Sequence, residues 1–253
     1  MDVNNFEKFI AKVGTGKCAS GLIVTLRDPA VSELIGDAGF DFTWLDMEHS
    51  PLSFTDVAAH IMALRGTDCA PFVRVANNDI VQIKKALDLA PAGIIIPMVK
   101  RADELKMAIS ACRYPPKGVR GCGYRRAIRY GAMDLQEYFK KSENEPLIIA
   151  QIEHIDAVQN LDEILAVEGL GSVCIGPNDL SGSINKLGQT NDPEVCKLID
   201  LICEKAHKAG VMVGAFAPDV ENWKHRNLDW AAVQTDWGAM LSGMQERRQK
   251  LEQ

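Results

Sequence analysis

A single closed barrel of eight β-α units is the fold this sequence predicts, on three observations. Its length of 253 residues suits one α/β barrel, which takes about 250. Short β-rich apolar runs alternate with stretches of helical period along most of the chain. The apolar runs are continuous rather than alternating, so both faces are covered, as in a parallel sheet under helices.

The units follow in order. Residues 20–26 (SGLIVTL) read as the first strand, and after Pro29 the residues Val31, Leu34, Ile35 and Ala38 keep helical spacing. The next strands are residues 40–46, 70–74 and 93–97, separated by apolar positions at i, i+3 and i+4 around 54–64 and 80–90. After a helix near 102–112 comes a Pro/Gly/Arg-rich loop, 114–131, and the series resumes at 147–153, 171–176, 211–215 and 230–234. No two-residue hairpin signal joins these runs, no GxGxxG follows the first strand, and no Gly-rich loop follows the last two. Without repeats or linkers, residues 1–253 read as one domain. The final stretch from Asp236 puts Trp237, Met240, Leu241 and Met244 on one helical face, expected to pack in its inner half, before a charged and solvated end.

Composition narrows the function. With 28 basic against 34 acidic side chains the net charge is −6, which gives no concentrated basic surface for nucleic acid. The opening MDVNNFEKFI lacks a basic region followed by an apolar one, and no apolar run approaches a bilayer span. The expectation is a cytoplasmic protein without membrane or nucleic-acid partners. Seven cysteines, none spaced CxxC, suggest free thiols in a reducing compartment.

In such barrels the active site lies at the carboxyl ends of the strands. There the second strand ends in Asp46-Met-Glu-His49, the third in Arg74, the fifth in Gln151-Ile-Glu153, and the sixth runs into Gly176-Pro-Asn-Asp179. Glu153 and Asp179 sit at neighbouring mouths, where two carboxylates repel unless a proton or a cation lies between them. Two oxygen ligands without a nearby His or Cys pair suit a hard ion, Mg²⁺ or Mn²⁺; taken singly, each carboxylate reads sooner as a helix cap or surface acid, and Asp179 before Leu180-Ser181 could cap a helix. Arg74 needs an anionic partner, either a structural carboxylate such as Asp46 or a substrate oxygen. His49, beside two acids, is placed for proton transfer or for an ordinary loop hydrogen bond.

The segments WLDMEHSP (44–51), RVANND (74–79), Leu87-Asp88, IPM (96–98), YPPKGVRG (114–121), QIE (151–153) and IGPNDLS (175–181) together resemble the HpcH/HpaI family of metal-dependent pyruvate aldolases. The resemblance runs from about residue 20 to 235. It implies a (β/α)8 TIM barrel, hexameric, with the C-terminal helix exchanged between subunits. It also implies reversible cleavage of a 4-hydroxy-2-oxo acid to pyruvate or a related 2-oxo acid plus an aldehyde, with Mg²⁺, Mn²⁺ or Co²⁺ as cofactor. By position, Glu153 and Asp179 match the metal ligands and Arg74 the arginine that holds the keto or enolate oxygen. His49 matches the proton-transfer histidine, Asp88 its acidic partner, and Asp46 an acid near the arginine. Gln151, Gly176, Pro177 and Asn178 match the pyruvate-binding wall. Met47, Ser50 and Asn178, the Gly214–Asp219 stretch and the 123–129 loop depart from the family pattern where the aldehyde would be read.

Three other readings share these residues. Loss of carbon dioxide from oxaloacetate passes through the same enolate. A Schiff-base aldolase needs a desolvated lysine, for which Lys100 is the candidate, although it opens a charged helical stretch. A non-catalytic 2-oxo-acid sensor would keep the fold without turnover.

Overall fold

A computed structural model of the chain describes residues 3–252. The eight apolar runs form a closed barrel in sequence order, β1 (Ala19–Val24), β2 (Phe42–Asp46), β3 (Ala70–Arg74), β4 (Gly93–Ile96), β5 (Leu147–Ile152), β6 (Ser172–Ile175), β7 (Met212–Phe216) and β8 (Trp230–Thr235). Every neighbouring pair is parallel, and β8 closes on β1 across a register shift between Gly21 and Leu22.

Helices return the chain from the carboxyl end of each strand to the amino end of the next. They are α2 (Ala30–Asp37), α3 (Phe54–Ala63), α4 (Ile80–Leu87), α5 (Ala102–Cys112), α6 (Leu135–Lys141), α7 (Ile155–Gln159), α8 (Leu161–Leu165), α9 (Pro177–Ser183), α10 (Pro193–Lys208) and α11 (Val220–Trp223). Side-chain caps fix several starts: Ser53 and Asp56 form a capping box on α3, and Asp79 and Asp192 cap α4 and α10.

Side chains alternate between two cores. Outward residues such as Leu45, Val73, Ile94, Ile96, Ile148 and Val213 meet the helices. Inward residues fill the barrel, and at its amino end these are aromatic: Phe42 and Phe72 stack with centroids 5.1 Å apart, and Trp230 meets them edge-on at 5.4 and 5.7 Å. Glycines opposite the rings make the space. A Cβ on Gly214 would lie 1.9 Å from the Trp230 ring, and one on Gly93 would lie 2.6 Å from Phe72.

An additional helix, α1 (Phe6–Gly14), closes this end. Phe6, Phe9, Ile10 and Val13 face the barrel at i, i+3, i+4 and i+7, and fully buried Phe9 reaches Phe72 at 4.7 Å. The Pro/Gly/Arg-rich loop also belongs to the amino end, because it begins where α5 has returned there. It is stapled by Tyr114, Tyr138 and Phe139, with Arg120 lying 4.6 Å from the Tyr114 ring.

The C-terminal helix α12 (Asp236–Glu252) corrects one expectation. Its inner half does not pack on its own barrel: Trp237, Met240, Leu241 and Met244 are each about half exposed, and only Asp236 and Gly238 are buried. Asp236 ties the helix start to the loop after β1, accepting hydrogen bonds from Thr25 N, Thr25 Oγ1 and Leu26 N.

Candidate active site

One layer above the aromatic floor the inward positions become polar. Asp46 and Arg74 end β2 and β3 as register partners, and Arg74 grips Asp46 with a two-pronged bond, Nε to Oδ1 at 2.9 Å and Nη2 to Oδ2 at 2.7 Å. The remaining nitrogen, Nη1, donates to Gln151 Oε1 at 3.4 Å and stands 2.9 Å from Glu48 Oε2. Gln151 Nε2 in turn donates to Glu153 Oε2, and the Met98 backbone N–H donates to Glu153 Oε1 at 2.8 Å. A continuous line thus runs from Asp46 through Arg74 and Gln151 to Glu153, with the guanidinium 5.0 Å from the Trp44 ring. Burial alone would weaken the hold of Arg74 on its proton, but the Asp46 hydrogen bonds and charge, with Glu48 and Glu153, raise its pKa instead.

Backbone shape places the carboxylates. Met98 has a left-handed φ of 55°, uncommon for a residue with a Cβ, and its N–H meets Glu153 from that turn. Gly176 leaves the space Glu153 occupies, since a Cβ there would lie 2.5 Å from Glu153 Oε2. The turn after β2 folds back on Asp46, whose Oδ1 accepts from Glu48 N at 3.0 Å and His49 N at 3.4 Å.

Two of these acids, Glu153 and Glu48, hold their protons more tightly than a free carboxyl does. Burial is the main cause that lifts Glu153, which Met98 N–H and Gln151 oppose and the charge of Asp179 reinforces. Glu48 is pushed up to about 7, chiefly by burial; Arg74 opposes this, while Glu153, Asp46 and Asp179 add to it. Glu48 Oε2 is buried without a hydrogen-bond partner, its contact with Arg74 being an ion pair lacking hydrogen-bond alignment.

The residues singled out in the sequence divide as follows. Asp46, Arg74, Gln151 and Glu153 form the line just described. Arg74 has the structural partner Asp46 and leaves Nη1 to Gln151 and Glu48. Asp179 is not a cap: Gly176 precedes α9, Pro177 is its first residue, and Asp179 lies exposed in the first turn with Asn178 beside it. His49 is largely exposed, with Nε2 3.7 Å from Glu48 Oε2.

Asp88 does not join His49 within the chain. It ends α4, and because that helix runs from the mouth back to the amino end, Asp88 lies at the opposite pole, 3.8 Å from Arg120 and against Gly123. Glu48 and Met98 are members of the cluster that strand-end reasoning passed over. Glu48 lies in a turn whose direction is set by Asp46, and Met98 contributes through its backbone.

The donor set fits a hard divalent cation. Among the described residues no three His, Cys, Asp or Glu side chains are arranged as metal ligands, so Glu153 and Asp179 would supply two oxygens and leave other positions for water and substrate. A cation there would offset the cost of burying the Glu153 charge, the main cause of its raised pKa, and its repulsion by Asp179. All seven cysteines are free, and among the described residues no helix is long and apolar enough to cross a membrane.

Comparison with known proteins bears on this cluster. Residues 19–244 match the family model of the HpcH/HpaI aldolase/citrate lyase family. The chain belongs to this family. It is 37% identical to the 5-keto-4-deoxy-D-glucarate aldolase of Enterobacter sp. (strain 638), over 96% of this chain and 94% of that one. A solved HpcH/HpaI aldolase/citrate lyase family protein from Burkholderia cenocepacia J2315 superposes with a TM-score of 0.88 at 26% identity, covering 94% of this chain and 96% of that one. The HpcH/HpaI aldolase from Desulfitobacterium hafniense DCB-2 gives the same TM-score and identity over 96% of each chain. The protein is an aldehyde-lyase of the metal-dependent, class II type.

Proposed function

We propose that this aldolase cleaves a 4-hydroxy-2-oxo acid reversibly to pyruvate, or a related 2-oxo acid, and an aldehyde, with a keto-deoxy sugar acid such as 5-keto-4-deoxy-D-glucarate as the first substrate to try. The observation that carries this reading is Arg74, locked to Asp46 by two nitrogens and offering its third between Glu48 and Gln151.

Breaking the C3–C4 bond leaves its electron pair on the three-carbon fragment, where it is tolerable only if the keto oxygen is neutralised as charge develops. Arg74 Nη1 would donate to that oxygen, and Asp46 holds the guanidinium so that little reorganisation is needed. His49, acting through water with Glu48 at its side, would take the C4 hydroxyl proton as the aldehyde forms. A proton delivered to C3 then completes pyruvate. Gln151, with Gly176, Pro177 and Asn178, would line the wall for the 2-oxo acid. Glu153 and Asp179 would hold Mg²⁺ or Mn²⁺, with Co²⁺ as an alternative, and the bound ion supplies Lewis-acid stabilisation of developing negative charge.

Product-mass analysis of pyruvate with an aldehyde panel, after chelation and re-addition of each ion, tests the proposal. The expected result is aldol formation restored by metal. Tight pyruvate binding with no cleavage of any 4-hydroxy-2-oxo acid would contradict it. Oxaloacetate decarboxylation is a second reading, favoured by the 3.7 Å gap between His49 and Glu48 and the remote Asp88, since that reaction needs no base at the departing carbon.

We also infer self-association. The apolar face of α12 and a 440 Å³ groove lined by Trp223, Leu228, Ala231 and Val233, beside β8, are both uncovered in the single chain, and exposed apolar patches commonly mark contact surfaces. A hexamer with exchanged α12 helices is the arrangement to test, by light scattering of the wild type and of a Trp237→Glu, Met244→Glu double variant. The variant is expected to dissociate.

A further inference from the structure

Arg65, just beyond α3, and Arg126 and Arg129, between α5 and α6, line one cavity of about 140 Å³ together with Met62, Tyr130 and Ala132. The cavity is at the amino end: α3 has returned there, and Arg126 Nη1 donates to the Leu89 carbonyl just past α4, at 2.9 Å. Among the described residues none of these three arginines pairs with a carboxylate, whereas Arg74, Arg101 and Arg226 each do.

Arg126 sets the requirement. It is only 8% exposed, and its hydrogen-bond partner is a neutral carbonyl. Burial, with the repulsion of Arg65, weakens its hold on its proton, opposed by Tyr130. A buried guanidinium without an anion is costly to keep. Its neighbours are held against local preference as well, because Arg129 and Tyr130 adopt left-handed φ values of 53° and 56° before Gly131. Such conformations in residues with a Cβ persist only where the surroundings enforce them.

We propose that this cavity is an oxyanion-binding site, separate from the catalytic mouth, for a phosphate- or carboxylate-bearing small molecule. Guanidinium groups present paired N–H donors matched to two oxygens of such a group, and a bound oxyanion would supply the negative charge that the three arginines around the cavity lack. The site stands whether or not the proposed substrate is correct, since it uses none of the residues at the mouth.

Calorimetric titration of the metal-loaded full-length protein with inorganic phosphate and with malonate, at constant ionic strength against chloride, tests this. One saturable site is expected, with a melting temperature that rises with probe concentration. Arg65→Gln and Arg129→Gln, made at the more accessible positions, should each weaken binding about tenfold, as should Arg126→Gln if it folds. The stronger probe identifies the ligand as a phosphate ester or a dicarboxylate. Binding that pyruvate displaces, or that Arg74→Ala abolishes, would put the anion at the catalytic mouth and overturn the proposal. Absence of saturable binding, or binding indifferent to Arg65 and Arg129, would overturn it too.

Discussion

At the amino end of the barrel Trp230 fills the space left by Gly214, while at the carboxyl end Glu153 fills the space left by Gly176. Both ends pair a large inward side chain with a glycine on the adjoining strand or strand end. The amino end places rings there and seals them with Phe9 of α1. The carboxyl end places carboxylates and a guanidinium there, holds Glu153 by N–H donors from Gln151 and Met98, and remains open. The same packing device gives stability at one pole and a reaction site at the other, so substitutions at the two poles should separate folding from turnover.

The largest separation is expected at Arg74. Arg74→Ala should lower kcat by about 10²–10³, the usual cost of removing one donor to a developing oxyanion. It should also reduce stability by about 3–5 kcal/mol, because Asp46 is left buried without its partner. Steady-state kinetics with thermal melts reads both. Next is Gly176→Ala, whose Cβ must displace Glu153; metal affinity is expected to fall about 10–100-fold with the melting temperature of the metal-free chain nearly unchanged. Gly214→Ala reverses that pattern. Overpacking against Trp230 should cost about 1–3 kcal/mol in chemical denaturation, with kcat of the folded fraction retained.

The two poles also differ in how far the sequence revealed them. All eight strands were legible because buried parallel strands are continuously apolar, and Asp46, Arg74, Gln151 and Glu153 were legible because a polar residue at such a strand end has few other uses. The plugging role of α1 was not, since the period of Phe6, Phe9, Ile10 and Val13 marks a helix without saying where it docks. Asp88 was assigned by resemblance to His49, yet a residue ending the helix after β3 must lie at the amino pole. Glu48 was missed because its place follows from the Asp46 hydrogen bonds that bend the turn. The face of α12 has a helical period but no partner surface within its own chain.

A further effect is one of pH. Glu48 rises from 4.5 to about 7 on folding, so the native state binds this proton more tightly than the unfolded chain does. That contribution to stability is fully present below pH 4.5 and is lost as pH rises through about 7. The melting temperature of the metal-free protein should therefore fall across that window, and Glu48→Gln should flatten the slope.

The charge-stabilising mouth is tested most directly without any aldehyde, by following exchange of the pyruvate methyl protons with deuterium oxide by NMR. The metal-loaded wild type is expected to exchange them, and Arg74→Ala, Glu153→Gln and the chelated wild type to lose nearly all of that exchange. Exchange that persists undiminished in Arg74→Ala, or that is absent from the metal-loaded wild type, would contradict the account.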